Sequence, residues 1–402
     1  MVKRGGDWGD VVFMTSWSKF VQCGILCACS SSVIAGGDGG MVCDLSSVEV
    51  GSALTGGRAF GVWVDDAYAY VVSGNVGGVD GAGNLVIVDV IEPGSAVAVG
   101  SAATSGDAFG VWASGGLAYV ASGLGGIEIF DVSDVSNPVL VGGVDTVGTA
   151  TGIVVDGTIA YVADLDGGLV VVDVSDPALP AVVGLLDVGG LVSGVTVDSG
   201  YVFVSAGGAG MVIVDASEPT APVIVGSIDT GLFVSDVFVD GVVAYVADFG
   251  SLLAVDVLDP AAPVLIGEIA TAGQAQEVLV SGSVAFVGDG ASGVVAVDVV
   301  DPSSMWIAGG FDTTGGAFDV AVDGPLVFVA DNTSGLVVLG FDGRCAACDA
   351  DLNGDGVLDF FEVSSFIAAF GALDPLADLT GDGLFDFFDV SAFLGAFGVA
   401  CP

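Results

Sequence analysis

The sequence predicts an all-β, seven-bladed β-propeller followed by a small all-α, EF-hand-like calcium-binding domain, and three observations predict it. A five-residue phrase, Leu-Val-Ile-Val-Asp at residues 85–89, recurs in seven copies. Four short apolar strand candidates fit within each repeat. Two loops with the oxygen-ligand spacing of calcium sites follow the last copy.

The repeat has an almost constant period. The final positions of the seven copies are Asp89, Asp131, Asp173, Asp215, Asp256, Asp298 and Gly340. Of the six intervals between these positions, five are 42 residues long and one is 41. Such regularity means that each unit is one structural element that buries its faces against its neighbours.

Each unit contains four strand candidates, which in the first unit are residues 59–64, 67–72, 85–89 and 97–101. Gly, Asp and Pro separate them, as turns require. The strands are apolar throughout, so we expect both of their faces to be buried. Four strands in a unit of this length are typical of a propeller blade.

The N-terminal strand is predicted to close the ring. The seventh unit has three strand candidates, near Phe318 and at 326–330 and 336–339, before the composition changes at Arg344. Its fourth strand is found at residues 48–55, which match the fourth strand at 97–104. The propeller is therefore expected to span residues 45–343, and a closed ring has no exposed inner edge.

The repeats resemble a known family. The phrase at residues 169–173, with Tyr-Val-Ala-Asp (161–164) before it and Ser-Asp-Pro after it, is similar to the LVIVD repeat of bacterial and archaeal surface proteins. The resemblance covers roughly residues 45–342. It implies an extracellular propeller and carries no general catalytic motif.

The charge balance narrows the range of partners. Asp and Glu number 50 against 5 Lys and Arg, so nucleic acid and anionic lipid surfaces are not expected to bind. The acidity suits either a cation-dependent role or a saline environment. The sequence has no His, and its two Lys are Lys3 and Lys19. Imidazole bases and Schiff-base lysines are thus missing from the main body, and we predict that the protein is not an enzyme.

The N-terminus has the layout of an export signal. Residues 1–35, with translation starting at Met14, combine Lys19, an apolar stretch and a small-residue cleavage pattern ending at Ala35. Residues 36–44 are then a linker, and the protein is expected to be secreted or at the cell surface. The alternative is a lipoprotein signal with Cys29 lipidated. Elsewhere no apolar run is long enough to span a membrane.

Cleavage after Ala35 would leave four cysteines, which permit three pairings: Cys43, Cys345, Cys348 and Cys401. When the repeats are aligned, Cys43 and Cys345 fall in the same turn between a third and a fourth strand. We therefore predict a Cys43–Cys345 disulfide at the point where the ends of the ring meet.

Two segments near the C-terminus have calcium-loop spacing. Oxygen ligands stand at positions 1, 3, 5, 7, 9 and 12, with Gly at position 6, and Val357 and Leu384 would contribute backbone carbonyls. The first set is Asp351, Asn353, Asp355, Val357, Asp359 and Glu362, and the second is Asp378, Thr380, Asp382, Leu384, Asp386 and Asp389. Ca²⁺ is the cofactor that these loops predict.

Each loop precedes an apolar stripe at helical spacing, as at Val363, Phe366, Ile367 and Phe370. The duplicated loop–helix unit, residues 344–402, resembles a dockerin, and its ending at Cys401 is similar to dockerin-type anchoring domains that finish in Gly-Cys. The resemblance implies a protein partner and places Cys348 and Cys401 at the ends of the unit. Phenylalanines stand where clostridial dockerins present small polar residues to cohesin, at 360–361 and 387–388, so the type of cohesin stays open.

One position near the predicted axis differs between blades. It reads Gly61, Gly110, Gly152, Gly194, Asp236, Glu277 and Asp319. The three acids form a candidate axial site for a cation or a polar ligand. The alternative is a solvated rim of turn-capping aspartates, since the same face gathers Asp145, Asp187, Asp229 and Asp312 with Asp164, Asp248, Asp289 and Asp331. Trp63 and Trp112 lie within first strands and are expected in the core.

The sequence therefore favours an extracellular or cell-surface binding and display module, with a propeller ligand that the sequence does not specify. The alternative is a polysaccharide-binding or polysaccharide-degrading component that uses Asp pairs on the propeller face as acid and base.

Overall fold

A computed structural model describes residues 47–65, 67–74 and 83–341, together with Phe366, Ile367, Phe370 and Val390. Within these ranges, seven four-stranded antiparallel sheets are arranged as the blades of a β-propeller. The strands are short and rich in Val, Ala and Leu, and turns that contain Gly and Asp separate them, as β-branched and small residues favour.

The first four blades follow the chain in order. Blade one is β2 (Arg58–Asp65), β3 (Tyr68–Gly74), β4 (Asn84–Asp89) and β5 (Val97–Ala103), with a 3₁₀ turn at Pro93–Ser95. Blade two is β6 (Gly110–Ser114), β7 (Leu117–Ala121), β8 (Ile127–Asp131) and β9 (Val139–Val144). Blade three is β10 (Ala150–Asp156), β11 (Ile159–Asp164), β12 (Gly168–Asp173) and β13 (Ala181–Leu186). Blade four is β14 (Gly194–Asp198), β15 (Tyr201–Ser205), β16 (Met211–Asp215) and β17 (Val223–Ile228).

The last three blades complete the ring. Blade five is β18 (Asp236–Asp240), β19 (Val243–Ala247), β20 (Phe249–Asp256) and β21 (Val264–Ala275). Blade six is β22 (Glu277–Ser281), β23 (Val284–Gly288), β24 (Val294–Asp298) and β25 (Trp306–Phe311). Blade seven is β26 (Asp319–Asp323), β27 (Leu326–Ala330), β28 (Leu336–Phe341) and, as its outer strand, β1 (Ser47–Ala53).

The outer strand of blade seven therefore comes from the beginning of the described chain. β1 pairs antiparallel with β28, and Gly51 stands opposite Val338. At the axis, the inner strand β2 contacts both β26 and β6, so the inner strands form a closed ring. This is the closure that the match between residues 48–55 and 97–104 predicts.

The hydrophobic core lies between the blades. Seven apolar clusters are found among the described residues, one at each interface between neighbouring blades. Ile87 of blade one and Phe130 of blade two, both fully buried, belong to one such cluster. The sequence predicts that both faces of every strand are buried, and the outer strands do not follow this prediction. They lie at the periphery of the ring and contact solvent: Val97 is 55% exposed and Ile224 is 42% exposed.

A glycine in the outer strand lets neighbouring blades approach closely. The pairing of the third with the fourth strand shifts at a β-bulge in every blade, and the glycine lies beside the shift. A Cβ added to Gly51 would stand 1.7 Å from the Pro93 carbonyl oxygen of blade one. Equivalent contacts with the next blade are made by Gly100, Gly142, Gly184, Gly226 and Gly267.

The aspartate that ends each repeat phrase caps a turn. Asp131 Oδ1, for example, accepts a hydrogen bond of 2.9 Å from the backbone N–H of Ser133. The same bond, to the N–H two residues later, is made by Asp89, Asp173, Asp215, Asp256 and Asp298. The hydrogen bonds from Ser133 lower the pKa of Asp131, and those from Ser175 lower the pKa of Asp173. Many of the acidic residues therefore serve the fold.

Several predicted features lie outside the described residues and stay predictions. They are the export segment, the linker, both calcium loops and the four cysteines Cys43, Cys345, Cys348 and Cys401. The all-α domain is likewise not described as a unit, although its four described residues are helical and the Phe366 and Phe370 rings lie 5.5 Å apart. Among the described residues, no helix has the length and apolar character needed to cross a membrane.

Candidate functional site

A cavity of ≈ 410 Å³ lies on the propeller axis and is partly open to solvent. It is lined by the inner strand of every blade. At the end where these strands begin, the lining residues are Phe60, Phe109, Thr151, Ser193, Ser235, Gln276 and Phe318. Three positions further along each strand, the lining includes Trp63, Trp112, Val154, Thr196, Phe238 and Leu279.

The structure brings the three predicted axial acids, Asp236, Glu277 and Asp319, to this cavity on consecutive blades. Asp236 is 7% exposed, and the other two are half-buried. On the other four blades the same position is glycine, where the inner strands pack closely. A Cβ on Gly110, for instance, would stand 2.8 Å from the Thr151 carbonyl oxygen of the next blade.

Two of the acids bond to the next blade. Asp319 Oδ2 accepts a hydrogen bond of 2.7 Å from the backbone N–H of Val62. Asp236 Oδ2 accepts one of 3.2 Å from the N–H of Val278, and its carboxyl group also bonds to that of Glu277. Each of these aspartates thus links two neighbouring blades and also forms part of the cavity wall.

Burial keeps protons on this group. It raises the pKa of Asp319 to about 7, with the nearby Asp236 adding to the effect. Burial also raises the pKa of Asp236. The pKa of Glu277 is raised well above its usual value, first by burial and then by the charges of Asp236 and Asp319. The three carboxyl groups therefore titrate as an interacting set whose protonated forms are favoured, as expected for like charges in a low-dielectric site.

A cation at the axis stays a prediction. Among the described residues, no group of three or more acidic, Cys or His side chains is already placed to hold a metal ion.

Aromatic rings line the same cavity, and blade seven contributes both Phe318 and Asp319 to its wall. The Phe60 ring lies 5.2 Å from Phe109 and 5.3 Å from Phe318, centroid to centroid, and these three residues belong to blades one, two and seven. Deeper in the cavity the rings of Trp63 and Trp112 are 4.0 Å apart. The prediction that these tryptophans lie in the core was wrong in part. They pack on the apolar clusters, but they also line the cavity.

Arg58 lies beside the aromatic rim and is the sole Lys or Arg in the described part of the chain. Its guanidinium carbon is 5.6 Å from the centroid of the Phe60 ring. Its Nε donates a hydrogen bond of 2.6 Å to Asn332 Oδ1 of blade seven. The arginine thus bridges the first and last blades and makes a cation–π contact at the mouth.

The aspartates of the rim fall into two groups, which corrects the expectation of a solvated rim. Asp145, Asp187, Asp229 and Asp312 are exposed. In contrast, Asp164, Asp289 and Asp331 are fully buried, Asp248 is 1% exposed, and burial raises the pKa of Asp164, Asp248 and Asp289.

These buried aspartates hold the loop that enters their own blade. Asp164 accepts hydrogen bonds from Thr146 Oγ1 (3.0 Å) and from the N–H of Gly148 (2.7 Å). Asp331 accepts bonds from Thr313 Oγ1 and from the N–H groups of Gly315 and Gly316. The Thr precedes the Asp by 18 residues in both cases. That recurrent spacing is the sequence signal that could have identified the pairs.

Solved structures share the fold at low sequence identity. The β-propeller domain of Myceliophteria thermophila Cps50 (Swd1) has a TM-score of 0.58 at 12% identity, over 74% of this chain and 100% of that chain. The Neurospora crassa Pan2 WD40 domain has a TM-score of 0.57 at 13% identity, over 74% of this chain and 96% of that chain. The computationally designed Ika8 protein has a TM-score of 0.52 at 10% identity, over 73% and 99%. At these identities the likeness concerns the fold alone.

At the level of sequence, no curated protein matches the chain significantly. The family model of the LVIVD repeat matches it seven times, at residues 56–104, 105–146, 147–188, 189–230, 233–271, 272–313 and 314–339. These matches cover more than half of the sequence and follow the observed blades. The chain therefore belongs to the LVIVD-repeat family.

Proposed function

We propose that the protein is an extracellular or cell-surface binding and display module whose propeller holds a ligand at its axis. The single observation that carries this proposal is the loss of repeat symmetry at the axial cavity. Positions that serve packing carry similar residues in every blade. One position of the second strand, for example, is always Tyr or Phe: Tyr70, Tyr119, Tyr161, Phe203, Tyr245, Phe286 and Phe328. At the rim of the cavity the corresponding series is Phe, Phe, Thr, Ser, Ser, Gln, Phe.

Packing alone would be served by repeating the same residue at the axis, as it is at the second-strand position. Instead, the three phenylalanines of the rim lie on blades one, two and seven, and the three carboxyl groups lie on blades five, six and seven. A concave site of some hundreds of Å³ with a few converging polar groups is the usual form of a ligand site. The combination of a symmetric scaffold with an asymmetric cavity therefore supports the proposal that the cavity binds a ligand.

The location and attachment are proposed from the sequence. The export signal at residues 1–35 supports secretion or display at the cell surface. The calcium loops at 351–362 and 378–389 support a dockerin-like attachment unit that binds a protein partner when it holds Ca²⁺. These parts would place the propeller outside the cell and connect it to an assembly.

A binding screen tests the propeller part of the proposal. The full chain would be applied to glycan and peptide arrays beside a Phe109→Ala/Asp236→Asn variant whose folding is checked by circular dichroism. We expect ligands that the native protein retains and the variant loses. Equal binding by both proteins would move the ligand site away from the axis.

Calorimetric titration with Ca²⁺ tests the attachment part. The full chain should bind two ions, and an Asp351→Ala/Asp378→Ala variant should bind none there, because position 1 supplies a charged ligand to each loop. Unchanged binding by the variant would place any calcium elsewhere and remove the basis for the dockerin-like unit.

A second function is favoured by one observation. A buried carboxyl group with a raised pKa beside other acids is what a glycosidase acid requires, and Asp319 has one. Against it, both Asp319 and Asp236 use an oxygen to hold the backbone of the next blade. Turnover of a polysaccharide by the full chain, abolished by Asp319→Ala, would establish this alternative.

A further inference from the structure

We propose that the axial cavity binds a small organic ammonium cation, held by the carboxyl groups of Asp236, Glu277 and Asp319 and by the aromatic rings that line the same cavity. The inference rests on the proposed binding function and names the class of ligand. Neither the family match nor the similar folds assigns a ligand to this cavity.

The charge of the wall favours a cation. Among the residues that line the cavity, the side chains that titrate are those of Asp236, Glu277 and Asp319, and none of the lining residues is basic. The one described basic group, Arg58, contacts the Phe60 ring and bonds to Asn332, and it is not among the lining residues. A positively charged ligand would therefore be attracted by uncompensated carboxylates in a partly desolvated site.

The aromatic wall favours an organic cation over an inorganic one. Phe60, Phe109 and Phe318 line the rim, and Trp63 and Trp112 lie deeper. The faces of aromatic rings attract ammonium groups, and aromatic cages with carboxylates are the usual means of recognising them. Arg58 above Phe60 shows the same chemistry at this mouth within the protein itself.

A buried polar group beside the acids has no partner. Ser205 is fully buried, and its hydroxyl oxygen forms no hydrogen bond with the described part of the protein. It lies 3.4 Å from the point that a Cβ of Gly194 would occupy, and Asp236 Oδ1 lies 2.6 Å from the same point. Gly194 and Asp236 line the cavity and Ser205 does not, so the glycine leaves Asp236 Oδ1 as the acceptor that a ligand N–H or O–H group would meet there.

Binding should be linked to proton release. The carboxyl groups that face the ligand are those of Asp236, Glu277 and Asp319, and burial raises the pKa of each, that of Asp319 to about 7. A cation favours their ionised forms, so its affinity should rise with pH through the region in which Asp319 ionises. Arg58, which stays protonated, does not reverse this trend.

Choline is a suitable probe because it has an uncharged isostere in which carbon replaces nitrogen. Both compounds would be titrated into the full chain by calorimetry at several pH values. We expect choline to bind at least about tenfold more tightly than the isostere, the difference expected of a cation–π and carboxylate site. Its affinity should increase with pH, and Ca²⁺ should not compete at equal concentration.

Variants locate the site. Glu277→Gln should weaken choline binding at least about fivefold while leaving the isostere unaffected, and Phe109→Leu should weaken both. Asp229→Asn, an exposed aspartate on the same face, removes the same charge away from the cavity and should change little. If Glu277→Gln fails to fold, Asp319→Asn, which keeps a hydrogen-bond acceptor for Val62, takes its place.

The outcomes separate the two proposals. Equal affinity for choline and its isostere, or choline binding that Glu277→Gln and Asp319→Asn leave unchanged, would overturn the ammonium site. If choline does not bind but an uncharged ligand from the arrays binds at the axis, the proposed function stands and the ligand class is wrong. If neither binds, both fail.

Discussion

Asp319 Oδ2 accepts a hydrogen bond of 2.7 Å from the backbone N–H of Val62, a residue 257 positions earlier, and so joins the seventh blade to the first at the axis. At the outer edge of blade seven, the pairing of β1 with β28 closes the ring a second time. The seam between the ends of the chain is thus held at both its inner and its outer side.

The Asp319 contact predicts a pH effect on stability. Burial raises the pKa of Asp319 to about 7 in the folded protein, above the value near 3.8 of an unperturbed carboxyl group. Between these values the folded state binds more protons than the unfolded state, so this group's contribution to stability falls as pH rises. Asp319→Asn should therefore gain stability relative to the native protein as pH increases from about 5 to about 8.

Thermal unfolding of both proteins at constant ionic strength measures that difference. Asp312→Asn, at an exposed position on the same face, is the matched control and should show no such trend. A difference between Asp319→Asn and the native protein that does not vary with pH would contradict the raised pKa.

Ring closure at the periphery should depend on Gly51. A Cβ there would stand 1.7 Å from the Pro93 carbonyl oxygen, so Gly51→Ala must displace β1 or the turn of blade one. We expect a loss of about 1–3 kcal/mol in the free energy of unfolding, the usual cost of forcing extra atoms into a packed interface. Urea denaturation measures it.

Gly94 is the control for that variant, because it lies in the same contact with more room. A Cβ on Gly94 would have Val50 O at 3.4 Å as its nearest neighbour. Gly94→Ala should therefore be close to neutral. If both variants were equally stable, the close approach of β1 to blade one would not hold in solution.

The buried Thr–Asp pairs predict a strong coupling energy. Asp331→Ala would leave Thr313 Oγ1 and two glycine N–H groups without their acceptor, at a cost of about 2–4 kcal/mol. Blade four carries Val188 and Ala206 at the corresponding positions, both buried. Thr313→Val combined with Asp331→Ala should thus cost less than the two single changes added, by about 1–3 kcal/mol.

A double-mutant cycle by denaturant unfolding gives that coupling directly. Additive effects would mean that Asp331 stabilises the blade through its glycine contacts alone. As a control, Asp229→Ala, which removes an exposed bond to the N–H of Gly231, should cost little because water can replace that acceptor.

The sequence was sufficient to predict the blades, but it was not sufficient to predict the wall of the cavity, and the reason is physical. Periodicity reports contacts that every blade makes, so the strands, the closure by β1 and the axial position of Asp236 could be predicted. The pairing of Trp63 with Trp112 and the burial of Asp164 could not, because they depend on which way a side chain points after a bulge or beneath a loop. The 18-residue spacing of Thr146 and Asp164 was present in the sequence, but spacing alone does not indicate burial.

Blade two has a buried glutamate from its third strand in place of the aspartate that is buried at the end of the second strand in other blades. Position 122 is Ser in this blade, and Glu128 reaches from β8 to accept hydrogen bonds from Ser122 Oγ (2.6 Å) and from the N–H of Ser105 (2.9 Å). The other blades have Val or Leu where Glu128 stands. Glu128→Val alone should cost about 2–4 kcal/mol, because it leaves buried donors without an acceptor.

Adding Ser122→Asp to Glu128→Val should restore much of that stability. Thr104 precedes position 122 by the interval seen between Thr146 and Asp164. Its hydroxyl now donates to the Gly106 carbonyl oxygen, and we expect it to turn to a carboxylate placed at position 122. Ser122→Asp in the presence of Glu128 should instead destabilise the protein, because two carboxylates would then share one buried site. Opposite signs for the same substitution in the two backgrounds, measured by denaturant unfolding, would establish that blade two needs one buried carboxylate at this point, whichever strand supplies it.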